Sequence, residues 1–136
     1  MRILFGALLA MATSAGMAMA QDTRDTAIRD TIGNQIAAFE ADDLNTAFAF
    51  ASDQIRALFR NPANFGQMVR DGYPMVWRPG AVRYLGLRDE GGRLWQRVMI
   101  TDADGAVHML DYQMLSVGDD WRINGVILLP GNGLGA

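Results

Sequence analysis

Asp111 stands beside Tyr112 in the middle of an alternating apolar stretch, and this pair is the best candidate for proton chemistry in the chain. A carboxylate forced into an apolar concavity has its pKa raised by desolvation and can act as a general base. A tyrosine hydroxyl nearby, Tyr112 or Tyr84, can act as the acid or steady a developing oxyanion. The competing reading of Asp111 is an ion pair with Arg97 or Arg122 that satisfies a buried charge. His108, the single histidine, lies in the same stretch between apolar residues, where packing or hydrogen bonding competes with a role as base or ligand contact. Tyr73-Pro74 and Arg78-Pro79 fall where the pattern changes from helical to alternating. Tyr73, Trp77 and Tyr84 there either line a cavity mouth or join two layers, and Arg78 is suited to a ligand carboxylate. Together with Arg97 and His108 these residues form the candidate ligand-binding set.

Composition closes other routes. The chain has 136 residues and no cysteine, which removes disulfides, thiol catalysis and cysteine-ligated metal. One histidine excludes a zinc site built on several, so no metal and no cofactor is implied. All twelve basic residues are arginine, which rules out lysine Schiff-base chemistry and a P-loop lysine. The formal net charge of −3, with arginines spread along the chain, argues against nucleic acid as a partner. No serine lies in a nucleophile-elbow pattern. Asp102-x-Asp104-Gly105 opens like a calcium loop but lacks the later oxygen ligands, and a hairpin turn is the better reading.

The elements that must position these groups follow from period and punctuation. Ile28, Ile32, Ile36 and Phe39 recur on one helical face within 22–41. Asp42 or Asp43 caps a second helix over 43–51, Ser52 and Asp53 open a third, and Asn61-Pro62 starts a fourth ending in a left-handed Gly72. Pro74 then bars the helix from resuming. Four strands follow, over 76–87, 93–102, 106–117 and 121–129, joined by glycine- and aspartate-rich turns. Short turns make them antiparallel neighbours. With Thr101 opposite Ala106, one sheet face carries Trp95, Arg97, Met99, His108, Leu110 and Tyr112, and the other carries Gln96, Val98, Ile100, Val107, Met109, Asp111 and Gln113. The expected class is α+β, with N-terminal helices packed on a curved four-stranded antiparallel meander sheet. A sheet with apolar residues on both faces leaves a second face to cover, which makes a homodimer through the outer face an expectation.

Arg2, the apolar run Ile3–Ala12 and Ala18-Met19-Ala20 describe a secretory signal peptide cleaved between Ala20 and Gln21. The expected organisation is a leader over 1–20, a single α+β domain over 21–130 and a flexible tail over 131–136. The mature product is then periplasmic or secreted, with no membrane span left after cleavage.

Four segments, AFEADDLNTAFAFAS (38–52), NFGQMVRDGYPMVWRP (64–79), QRVMITDADG (96–105) and DDWRINGVILLP (119–130), resemble a bacterial family known as domain of unknown function 4864. That family is similar to the nuclear transport factor 2-like superfamily, whose helices pack into a bent antiparallel sheet and form a cone with a cavity. The resemblance implies the same cone here, and a fold of that kind does not by itself decide function. The leading expectation is non-catalytic binding of a small apolar ligand or a protein partner. The alternatives are a cofactor-free isomerase- or cyclase-like enzyme using Asp111 as base, and a structural or assembly subunit. A binding cone of the usual kind needs a cavity of roughly 300 Å³ or more.

Overall fold

The structure, a computed structural model, describes residues 11–131. The first ten residues, half of the expected leader, and the tail beyond 131 lie outside the described residues.

The first helix, α1 (Met11–Glu40), buries Ile28, Ile32, Ile36 and Phe39, the stripe that the spacing predicts. It begins earlier than expected, because the alanines and methionines before residue 22 favour helix without needing a core. Residues 16–23 are exposed, and the Ala18–Ala20 segment lies on this bare part. Each of the next three helices starts at a side-chain cap that satisfies an orphan amide. The Asp43 carboxylate accepts from the Thr46 amide at 3.2 Å and opens α2 (Leu44–Ala49). The Ser52 hydroxyl accepts from the Ile55 amide at 3.3 Å and opens α3 (Asp53–Phe59). Asn61 accepts from the Asn64 amide at 2.8 Å and opens α4 (Pro62–Gly72).

Gly72 does not adopt the left-handed conformation expected of it; among the described residues the glycines with positive φ are Gly91, Gly92, Gly105 and Gly118. Instead the Tyr73 amide donates to the Val69 carbonyl, and Pro74 begins a further helical turn, α5 (Pro74–Trp77). Proline suits the first position of a helix, where its missing N–H is no loss. This turn delays the first strand from the expected residue 76 to residue 79.

Strands β1 (Pro79–Glu90), β2 (Arg93–Asp102), β3 (Val107–Val117) and β4 (Asp120–Leu128) form one antiparallel sheet in the order β1-β2-β3-β4. The α+β meander is therefore as expected. Its register is not. Thr101 pairs with Val107, not Ala106. The Asp102 carboxylate accepts from the amides of Asp104 and Ala106 at 2.9 and 3.0 Å, and the Asp102 amide donates to the Ala106 carbonyl. Those bonds close a three-residue loop with Gly105 at φ 88, one residue tighter than expected. A one-residue slip exchanges faces along a whole strand. Gln96, Val98, Ile100, Leu110, Tyr112 and Met114 thus share the buried inner face, and Trp95, Arg97, Met99, Met109 and Asp111 share the outer one.

The helices pack on the inner face around Phe39, whose ring lies 5.9 Å from Phe65 and 5.6 Å from Trp77 between centroids. The chain around Ala51 pins β4: the Ser52 amide donates to the Ile123 carbonyl and the Ile123 amide to Phe50, both at 2.9 Å. Gly80 sits at a register shift in β1, where a Cβ would stand 2.9 Å from the carbonyl oxygens of Thr101 and Asp102. Because those atoms are backbone, Gly80→Ala is expected to destabilise the fold by about 1–3 kcal/mol in urea titration. An unchanged midpoint would show that the strand pair separates more easily than this packing implies.

Candidate functional site

Tyr112 and Asp111 are neighbours in sequence and opposites in space. Alternation along β3 sends Tyr112 inward and Asp111 outward, so the two face different solvents and different charges.

The inward side holds a cavity of about 70 Å³ between α1, α3, α4 and the strands β3 and β4. Fully or nearly buried Gln35, Phe39 and Tyr112 belong to its inner wall, and half-buried Ile55, Phe59 and Met68 form its solvent side. Among the described residues no acid, histidine or arginine lines it. Side chains fill most of the cone, so the expectation of roughly 300 Å³ is not met. The remaining space is about half of a cavity that holds benzene and equals roughly two waters of liquid volume. Gln35 spends its side-chain amide on the Ala47 carbonyl at 3.1 Å. The Tyr112 hydroxyl is buried with no hydrogen-bond partner among the described residues. Burial pushes its pKa far up, and Tyr84 and Tyr73 nearby add to the rise. It is therefore a neutral donor that lacks an acceptor, a state that costs about 1–3 kcal/mol.

Tyr84 also faces inward, toward α1, with its hydroxyl oxygen 3.1 Å from where a Cβ on Gly33 would stand. The absence of that carbon gives the phenol its room. Burial raises its pKa, with the Asp30 charge adding to it. Tyr73 lines the cavity and donates its hydroxyl to the Val126 carbonyl at 3.0 Å, joining helix to sheet.

The outward side holds a carboxylate between two guanidiniums. Arg88 donates to both Asp111 oxygens at 3.1 and 2.7 Å, and Arg97 does the same at 2.7 and 3.1 Å. Asp111 is 4% exposed, and burial alone would raise its pKa. The bonds from Arg88 and Arg97 outweigh burial and hold it at about 2. The Arg88 guanidinium is raised in turn, first by its bond to Asp111 and then by Glu90. A carboxylate this acidic and this fully paired is a weak proton acceptor. It shares no cavity with a tyrosine hydroxyl, which a base-and-acid pair on Asp111 and Tyr112 or Tyr84 requires.

The remaining candidates are spread over the fold. Arg78 donates to the Phe39 and Trp77 carbonyls at 2.7 and 2.8 Å and to the Asp42 carboxylate at 2.7 Å. The carboxylate it binds is the chain's own, and it closes the C-terminal end of α1. Trp77 packs on Phe39 and lies under the guanidiniums of Arg78 and Arg70, at 4.7 and 5.4 Å. His108 shares a 2.8 Å hydrogen bond between its Nε2 and Asp102, on the carboxylate that shapes the β2–β3 turn. Among the described residues no cluster of metal-ligating side chains occurs. Reasoning from sequence missed Arg88 as the second partner of Asp111, because β1 slips register between Tyr84 and Leu87. It also missed Gln96, whose buried amide donates to the Leu85 carbonyl at 2.8 Å inside that slip. A glycine at position 86 of a strand pattern was the available signal.

The profile of a family described as Domain of unknown function (DUF4864) matches residues 21–136. No curated protein and no solved structure matches the chain.

Proposed function

The chain belongs to the DUF4864 family, whose description assigns no activity, and on that footing we propose that it is a non-catalytic binding module whose cone takes a small neutral, mostly apolar group bearing an oxygen acceptor. The observation that carries this reading is the apolar cavity lined in part by Tyr112, whose buried hydroxyl has no hydrogen-bond partner among the described residues. A neutral carbonyl or hydroxyl oxygen entering first would give that phenol the acceptor it lacks. A charged head would be desolvated with no counter-charge among the lining side chains. The α+β arrangement is consistent with a nuclear transport factor 2-like cone, in keeping with a binding role.

Size limits affinity. A group of about four heavy atoms yields at most about 6 kcal/mol, a Kd no tighter than tens of micromolar. The natural ligand is then the end of a longer aliphatic chain, with its remaining length along Ile55, Phe59 and Met68. Acetone and acetate, equal in heavy atoms, separate this reading from others. Acetone is expected to raise the melting temperature in a concentration-dependent way, longer methyl ketones more so at equal concentration, and acetate not at all. Tyr112→Phe is expected to leave the free protein as stable or up to about 1 kcal/mol more so, while abolishing the preference for ketone over the matching alkane. Equal effects of acetone and acetate would refute the reading.

The expected leader over residues 1–20 supports a binding role after export. Intact mass of exported protein starting at Gln21 is the expected result, and retention of residues 1–20 would contradict it.

A further inference from the structure

The outer face of the sheet differs in charge from the rest of the chain. Register places Arg83, Arg88, Arg93, Arg97 and Arg122 on it, against the carboxylates Glu90, Asp111 and Asp120. The whole chain carries a net charge of −3, so this face is a basic area on an acidic molecule. Between the arginines stand half-buried Trp95, Met99 and Met109 and the more exposed Val107, Leu115 and Ile127, the last 48% exposed. The helices pack on the opposite face, and among the described residues none covers this one.

We propose that the outer face docks a protein partner presenting an apolar patch ringed by carboxylates. Charge complementarity selects the partner's sign. The side-chain types select its class: arginine, methionine and tryptophan are enriched at protein interfaces, and lysine, depleted there, is absent from this chain. Asp111 makes the surface ready for use. Its four bonds hold the Arg88 and Arg97 guanidiniums against the sheet while each side chain stays 33% exposed, so less rotamer freedom is lost on docking. A second copy fits poorly, because a twofold interface would set one basic face against another. An anionic bilayer also fits poorly, because it draws on long basic side chains free to extend, and these two lie paired on the sheet.

The test uses two amphipathic peptides with the same leucine stripe, one flanked by glutamates and the other by lysines, and maps amide shifts by NMR. The glutamate peptide is expected to shift amides of β2, β3 and β4 and to leave α3 and α4 unmoved. Its affinity is expected to fall about tenfold between low and about 0.5 M salt, and about tenfold again in Arg83→Glu/Arg122→Glu, which spares the Asp111 pairs. The lysine peptide and vesicles of phosphatidylglycerol are expected not to bind. Equal binding of both peptides, binding to vesicles alone, or no binding of the glutamate peptide would each overturn the proposal. So would a sedimenting dimer that Ile127→Arg dissociates. Tyr112→Phe leaves this binding unchanged, which separates the outer face from the cone.

Discussion

Asp111→Asn is expected to cost about 3 kcal/mol at neutral pH, measured by urea unfolding. The carboxylate accepts four hydrogen bonds from Arg88 and Arg97, and the replacement turns one oxygen into a donor aimed at donors. Removing one partner of a buried pair costs about 3–5 kcal/mol. The lower end applies, because both guanidinium side chains are 33% exposed and can regain water. The folded pKa of about 2 lies below the ordinary carboxylate value near 4. Its contribution to stability is complete above that ordinary value and is lost as pH falls toward about 2. The wild-type protein should therefore lose about 2 kcal/mol over this window from Asp111 alone, while Asp111→Asn should lack that component. The gap between the two stabilities should narrow from about 3 to about 1 kcal/mol toward the bottom of the window. Parallel curves down to pH 2 would show that Asp111 is not held by its arginines.

Phe39→Ala carries the second large effect, an expected loss of about 3–5 kcal/mol in the same measurement. Phe39 is fully buried and packs on Phe65 and Trp77, so it ties α1 to α4 and α5 above the sheet. A loss of this size approaches the whole stability of many small domains. Phe39→Leu, at about half the cost, keeps the fold and widens the cavity that Phe39 lines. It should therefore bind longer ketones more tightly than the wild type does. A Phe39→Ala protein with an unchanged midpoint would mean that the helical layer is not anchored there.

Local features with their own chemistry were legible. The Ile28, Ile32, Ile36 and Phe39 stripe, the Ser52 and Asn61 caps and the limits of β2 all follow from spacing and from side chains acting within three or four residues. Errors arose where one side chain outside the pattern set the geometry. Asp102 tightens its hairpin by a residue and thereby exchanges the faces of β3, which moved Asp111 away from the interior. Pro74 reads equally as a barrier and as the start of a turn, and the Val69 and Tyr73 carbonyls, which accept from Tyr73 and Val76, favour the turn. The cavity was the least legible part. Its walls come from α1, α3, α4, β3 and β4, and no spacing in the sequence states how much of the cone Phe39, Phe59 and Phe65 leave empty.

In the proposed binding mode an uncharged oxygen enters the cone and meets Tyr112. Its most direct test is the NMR signal of the Tyr112 ring carbon bearing the hydroxyl, in protein labelled at tyrosine with carbon-13, titrated with acetone and separately with acetate. A saturable shift is expected with acetone, none with acetate, and no comparable change at the Tyr73 ring, whose hydroxyl already donates to Val126. A Tyr112 signal that ignores acetone at saturating concentration, or that follows both molecules equally, would contradict it.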